Sequence, residues 1–125
     1  MDETLLLCLF VTGILPFICA GITKSKKSFD NSDPRAWQAQ QEGYRGRAYA
    51  AQQNSWEAFI WLTVAILVAT VSENNNLEYV KNCAVAFVFF RLLFILLYLA
   101  DLSSARTVAW IGSKACVFLI FFSAF

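Results

Sequence analysis

A run of polar residues lies where a membrane-spanning helix is expected, and it holds the residues best suited to chemistry. Arg47, Asn54 and Glu57 all belong to this run. The uncharged stretch 58–71 that follows has about 14 residues, too few at 1.5 Å per residue to cross a hydrocarbon core about 30 Å thick. The helix must therefore begin earlier and carry these polar groups toward the bilayer. Polar groups in that position usually face a bundle interior or a wet cavity, so this run is the first candidate site.

Further charges interrupt the later apolar segments. Arg91 lies about 21 Å from the outer end of the third segment, at about the depth of Glu57, so an ion pair or a water-filled pocket between them is geometrically allowed. Tyr98 follows Arg91 on the same helical face. Arg106 stands in the first turn of the fourth helix, where free backbone N–H groups favour an anion. Lys114, about 12 Å further along, can snorkel or point into the bundle.

The composition indicates an integral membrane protein. Hydrophobic residues make up 58% of the 125 residues and charged residues 15%, against about 25% charged residues in soluble proteins. A net charge of +1 argues against a nucleic-acid partner. The chain has no histidine, which excludes histidine-ligated haem, histidine-bearing zinc sites and Ser-His or Cys-His catalytic pairs. We expect no metal and no haem, and we expect its four cysteines to be buried without forming disulfides.

The hydropathy pattern predicts an all-α, four-transmembrane-helix bundle in a single domain, 1–125, in contact with membrane lipids. The helices are expected at about 4–23, 47–71, 77–99 and 104–125, by length and apolar content. The acidic residues before the first helix argue against a cleaved signal peptide. Lysine and arginine concentrate in the first loop and its flanks, so the positive-inside rule places both termini outside the cytoplasm and the candidate site near the cytosol.

Smaller features refine this scheme. Asp33 and Pro34 predict the start of a short interfacial helix over 35–42, and two glycines, Gly43 and Gly46, indicate a bend before the second long helix. Ser103 or Ser104 is expected to cap the fourth. A stripe of small residues on the second helix predicts close helix packing: Ala51, Ala58, Ala65 and Ala69. A solvated face is expected for Gln38, Gln40 and Gln41.

Each candidate residue also has a simpler interpretation. Asn54 and Glu57 can tie helices together without binding a ligand. Arginines at positions 47 and 91 can snorkel to the interface. Tyr98 can belong to an aromatic belt, and Arg106 can be an ordinary cytoplasmic anchor.

The second helix carries the pattern R-x-x-x-A-x-x-N-x-x-E. The third carries an arginine and a tyrosine, and an arginine opens the fourth. Together these residues resemble the signature of the MAPEG family. That family includes microsomal glutathione transferases and the leukotriene and prostaglandin synthases that use glutathione. The matching residues are Arg47, Ala51, Asn54, Glu57, Arg91, Tyr98 and Arg106. The segments 33–37 and 98–101 are similar to its bacterial branch.

The resemblance implies a homotrimer in a bacterial inner membrane, with glutathione as co-substrate held between subunits near the cytoplasmic face. By position it implies that glutathione binds to Arg47, Asn54, Glu57, Arg91 and Tyr98. It implies that Arg106 is catalytic and stabilises the thiolate for attack on a hydrophobic electrophile or a hydroperoxide.

The chain departs from the family pattern at a few positions. Ala50 and Gln53 stand where some members carry arginine, and Phe94 replaces a polar residue of certain synthases. Two other functions stay open. One is a non-catalytic family member that retains the bundle for assembly. The other is a small transporter in which Glu57 couples to protons.

Overall fold

The computed structural model describes residues 1–125 and is built from helices alone. Its five helices are α1 Glu3–Thr23, α2 Pro34–Ala39, α3 Gly43–Val71, α4 Leu77–Leu99 and α5 Ser103–Phe122. Four of them, all except α2, are long and apolar enough to cross a membrane. The predicted all-α architecture with four membrane-length helices is confirmed.

Small side chains let α3 pack closely inside the bundle. α1 packs most extensively against α3 and α4 against α5, while α3 also contacts α4 and α5. The predicted stripe on α3 is buried at every position, with no more than 3% exposure, at Ala51, Ala58, Ala65 and Ala69. In lipid, where apolar side chains gain little from leaving the solvent, such close backbone approach is a main source of helix association.

The buried core consists of two apolar clusters along the bundle axis. One contains Leu62, Ile66 and Phe87, and the other contains Leu15, Phe94 and Ile95. Phe87 and Phe94 both lie on α4, two helical turns apart, and the residue midway between them on that face is the fully buried Arg91. Arg91 is therefore the only charged side chain among the buried residues of the chain.

Helix α3 begins four residues earlier than predicted. Gly43 opens the helix with φ +61°, a conformation that glycine adopts without the steric penalty of a side chain. Gly46 lies within the helix, and a Cβ atom there would meet the carbonyl oxygen of Gln41 at 2.5 Å. The turn is therefore made at Gly43 alone. Gly46 lies in no bend, and a side chain there is excluded by the backbone of Gln41.

The predictions for the helix ends are partly confirmed. Asp33 caps α2 by accepting a hydrogen bond from the Ala36 N–H, with Pro34 as the first helical residue, but the helix ends at Ala39. The prediction for the last helix was wrong, since its N-cap is Leu102, which provides no side-chain hydrogen bond. Asp101 takes φ +61° in the tight turn after α4, so both serines that follow are already inside α5.

One contact between α4 and α5 gives a stability prediction. A Cβ atom on Gly112 would lie 2.6 Å from the ring of Phe90, so the Gly112→Ala substitution forces the two helices apart or the ring out of its position. We expect a loss of about 1–3 kcal/mol, typical of overpacking, measured as a lower melting temperature in detergent. Gly21→Ala is the matched control, because nothing lies within 4 Å of its Cβ position. Equal melting of the Gly112 variant and wild type would contradict the close contact.

Candidate functional site

The side chain at the centre of the site is Arg91. It is 0% exposed, and its Nη2 donates a hydrogen bond to Oδ1 of Asn54 on α3 at 2.8 Å. Its guanidinium carbon lies 4.1 Å from the ring centre of Phe94, one turn along α4. The Nε and Nη1 groups are buried without any acceptor in the chain. Burial of a cation is unfavourable unless its donors are satisfied, so Arg91 retains hydrogen-bonding capacity for an anionic or carbonyl group.

Aromatic rings connect Arg91 to the second arginine of the site. The rings of Phe94 and Tyr98 pack edge to face, with centres 5.5 Å apart. On the other side, the guanidinium carbon of Arg106 lies 4.1 Å from the ring centre of Tyr98. Each arginine therefore lies over the face of an aromatic ring, which attracts a cation and fixes its plane. The stack sets the position of Arg106, on α5, relative to α4.

These side chains border one surface groove of about 240 Å³. It is lined by Asn54, Phe94, Tyr98, Arg106, Thr107 and Trp110. Three of the six predicted site residues line the groove, and a fourth, Arg91, lies behind it bonded to Asn54. Thr107 and Trp110 were not singled out from the sequence. Trp110 could have been found by its spacing, because it lies one turn after Arg106 on the same face of α5.

Arg47 does not line the groove and is hydrogen-bonded to the end of α4. Its Nε and Nη2 donate to the carbonyl oxygen of Leu99 at 3.3 and 3.1 Å. Leu99 is the last residue of α4, where carbonyl groups lack helical partners and the helix dipole favours a cation. Arg47 thus ties the start of α3 to the end of α4, close to Tyr98. Its contact with glutathione stays a prediction.

Glu57 makes no ion pair with Arg91. It is exposed on the surface of the single chain, and the two ion pairs of the chain both belong to Lys81, with Asp2 and with Glu78. Asn54 takes the position opposite Arg91 in its place. Three residues along a helix rotate the side chain by about 300°, so Glu57 points about 60° away from Asn54. The ion pair that the depth of the two charges allowed is absent within the chain.

The glutamines do not all lie in solvent, contrary to the sequence prediction. Gln38 is 2% exposed, and its Nε2 donates to Oε1 of Gln52 on α3 at 2.9 Å. This hydrogen bond holds the short helix α2 against α3, because α2 is too short to be stable alone. The prediction of a solvated face is therefore wrong for Gln38, which packs against α3, whereas Gln40 is exposed.

The remaining ligand-type residues form no cluster. No group of three or more histidine, cysteine, aspartate or glutamate side chains is arranged to hold a metal ion. All four cysteines are free; Cys8, Cys19 and Cys116 are buried and Cys83 is half-buried. The chemistry available in the groove is therefore that of guanidinium, amide, hydroxyl and aromatic groups, a set suited to binding a polar anion beside an apolar surface.

Comparison with known proteins identifies the family of the chain. Searches among curated proteins and among solved structures find no significant match. Among models of protein families, one matches residues 4–125, nearly the whole chain, and it describes the MAPEG family. Together with the four membrane-length helices, this match shows that the chain is an integral, multi-pass membrane protein and belongs to the MAPEG family.

Proposed function

We propose that this protein is a glutathione-dependent membrane transferase or peroxidase that binds glutathione in the groove between α3, α4 and α5. Membership of the MAPEG family supports a glutathione-related role at the membrane. The observation that carries the specific proposal is the convergence of Asn54, Tyr98 and Arg106 on one groove, with the unsatisfied donors of Arg91 behind it.

The groups of the groove complement those of glutathione. The tripeptide carries two carboxylates and one ammonium group, and a planar guanidinium binds a carboxylate through two parallel hydrogen bonds. Arg91 and Asn54 bind the peptide and carboxylate groups of glutathione, and Tyr98 contacts the ligand from α4. Arg106 lies in the first turn of α5, at the mouth of the groove, where its charge stabilises the thiolate over the thiol.

In the proposed reaction the thiol releases its proton to water and the thiolate sulfur attacks the second substrate. Attack on an electrophilic carbon forms a thioether and expels a leaving group or opens a strained ring. Attack on a hydroperoxide oxygen breaks the O–O bond and gives an alcohol and a sulfenic acid, which a second glutathione converts to the disulfide with loss of water. The second substrate is a hydrophobic small molecule that reaches the groove from the lipid.

We further propose that three copies assemble and that a neighbouring subunit completes the site. Glu57 is an exposed carboxylate that forms no ion pair in its own chain, on a helix that spans the bilayer, where an uncovered charge is unfavourable. A subunit packed over this face of α3 would place Glu57 beside the ammonium group of glutathione. The resemblance to the bacterial branch implies a bacterial inner membrane, where by the positive-inside rule the site would lie at the cytoplasmic face with both termini outside.

The competing function is a non-catalytic family member, and one observation favours it. Arg47 is occupied by the Leu99 carbonyl, and Ala50 lacks the charge of the arginine found in the synthases, so the bundle can use part of the signature for structure. Calorimetric titration of the purified protein with millimolar glutathione separates the two. We expect saturable binding. If no heat of binding is measured and glutathione leaves the melting temperature unchanged, the result would support the non-catalytic function.

Arg106 is the residue expected to act on the reaction more than on binding. The Arg106→Ala variant should lose turnover almost completely while its affinity for glutathione stays within several-fold, because a thiolate partner acts mainly on the activated state. Turnover with a model electrophile and calorimetric affinity are measured on the same preparation. Lys81→Ala is the control, since Lys81 bonds only to Asp2 and Glu78 far from the groove. Equal turnover in the Arg106 variant and wild type would assign thiolate stabilisation to another group.

Glu57 is expected to act on binding and not on the stability of the single chain. Because it has no ion pair within the chain, Glu57→Gln should weaken glutathione binding by about tenfold, or 1.4 kcal/mol, while the melting temperature without ligand is retained. Glu73→Gln, an exposed carboxylate in the α3–α4 loop, is the matched control and should bind as wild type does. An unchanged affinity in the Glu57 variant would remove it from the site.

A further inference from the structure

The fold brings basic residues of two segments together where α1 ends and α3 begins. The last residue of α1 is Thr23, and its Oγ1 donates a hydrogen bond to the backbone carbonyl oxygen of Arg45, in the first turn of α3, at 3.2 Å. Thr23 is fully buried, so this contact belongs to the interior of the bundle. Lys24 follows Thr23 directly. Two cations that are distant in the sequence therefore lie at the same corner of the bundle.

Both side chains lie over aromatic rings, and neither forms an ion pair. The Nζ atom of Lys24 is 5.3 Å from the ring centre of Phe29, and the guanidinium carbon of Arg45 is 4.7 Å from that of Tyr44. The Nε group of Arg45 is buried without any acceptor, and the ion pairs of the chain involve only Lys81. A ring face orients a cation but does not neutralise it, so both cations retain the capacity to bind an anion.

The acidic side chains of the α1–α2 connection form local hydrogen bonds instead. The Oδ1 atom of Asp30 accepts hydrogen bonds from the hydroxyl and the backbone N–H of Ser32 at 2.6 and 2.9 Å, and these bonds hold the pKa of its carboxyl below the ordinary value. Asp33 caps α2 by accepting from the N–H of Ala36. The carboxylates therefore shape the connection and leave the two cations without a counter-charge.

Apolar and aromatic side chains continue from this corner along the seam between α1 and α3. Phe17 on α1 and Trp56 on α3 pack edge to face with ring centres 5.4 Å apart. Phe17 is 62% exposed and its neighbour Ile18 50% exposed. Both helices are long and apolar enough to cross a membrane, so this surface meets acyl chains, and the two cations stand at the end of it, at the depth of lipid headgroups.

We propose that Lys24 and Arg45 together bind the headgroup of an acidic phospholipid whose acyl chains lie along the α1–α3 seam. The negative headgroup supplies acceptors for the ammonium group and for the free Nε of the guanidinium. The apolar seam favours a lipid over a soluble anion, because a free phosphate would contact the cations alone. Trp37 packs edge to face on Phe29, with ring centres 5.2 Å apart, and tryptophan favours the same interfacial depth.

The proposal differs from the general attraction between basic loops and acidic membranes. That attraction acts on every exposed lysine of the connection, including Lys26 and Lys27. The proposed site instead depends on the one lysine and the one arginine that the bond from Thr23 brings together. It does not rest on the proposed glutathione chemistry.

The test is native mass spectrometry of the purified full chain, titrated with phosphatidylglycerol or with phosphatidylcholine of the same acyl chains. The two lipids differ only in the headgroup, so the ratio of the affinities for the first bound lipid measures the preference for negative charge. We expect the wild type to bind phosphatidylglycerol about tenfold more tightly. The double variant Lys24→Gln with Arg45→Gln should lose this preference and keep phosphatidylcholine binding within twofold. Thr23 bonds to the backbone of Arg45 and not to its side chain, so the fold is retained.

Two further variants make the result specific. Lys26→Gln with Lys27→Gln removes the same number of charges from the same connection and should leave the preference within twofold. Lys24→Arg with Arg45→Lys keeps both cations and should retain the preference, which separates the loss of charge from the loss of packing. An unchanged preference in the Lys24 and Arg45 glutamine variant would overturn the proposal. So would an equal loss in the Lys26 and Lys27 variant, which would assign the effect to general surface charge.

Melting temperatures with soluble anions distinguish the lipid from other sources of negative charge. We expect millimolar inorganic phosphate to shift the wild type and the Lys24 and Arg45 glutamine variant equally, and the same for glutathione. Phosphate that stabilises the wild type alone would assign the two cations to a soluble anion. Glutathione that stabilises the wild type alone would assign them to the glutathione site. Failure of glutathione binding in the separate calorimetric titration would leave the lipid result unaffected.

Discussion

The burial of one guanidinium group in a lipid-embedded bundle is the constraint on which the rest of the structure depends. Arg91 has no access to water, so its charge must be accommodated by neighbouring side chains. Asn54 supplies an acceptor from α3 and Phe94 supplies a ring face from α4. Both requirements fix the rotation of α3 relative to α4, because a small turn of either helix would leave a buried cation without its partner, a loss of several kcal/mol.

Close helix packing makes that arrangement possible. The alanine stripe brings α3 against its neighbours, and Gly112 lets the Phe90 ring sit against α5. With α4 and α5 in this register, Arg106 lies over Tyr98, and the two arginines flank one linked pair of rings. The small residues have no chemical role of their own. They determine the distances at which the polar residues meet, which is the usual function of such positions in membrane bundles.

The surface between α3 and α5 is polar at one end and aromatic at the other. The polar end combines Asn54 with Arg106, and the aromatic end surrounds Lys114. Two charges on this side of the chain, those of Glu57 and Lys114, lack ion-pair partners within it. Since unpaired charges in a membrane are rarely retained without a role, we propose this surface as the place where the chain meets other molecules, and membership of the MAPEG family makes glutathione the first to test.

The sequence by itself determined the class of the protein, the number of long helices and the helix faces that carry polar groups. Length and hydropathy specify a membrane helix, and a 3.6-residue period specifies a face. Only the tertiary structure decided which polar groups meet. Arg91 bonds to Asn54 and not to Glu57, and Arg47 caps the carbonyl of Leu99 at the end of α4. Those pairings depend on the rotation of each helix about its own axis, since only about 60° separates Asn54 from Glu57 around α3. Depth along a helix does not encode that rotation, which side-chain packing selects.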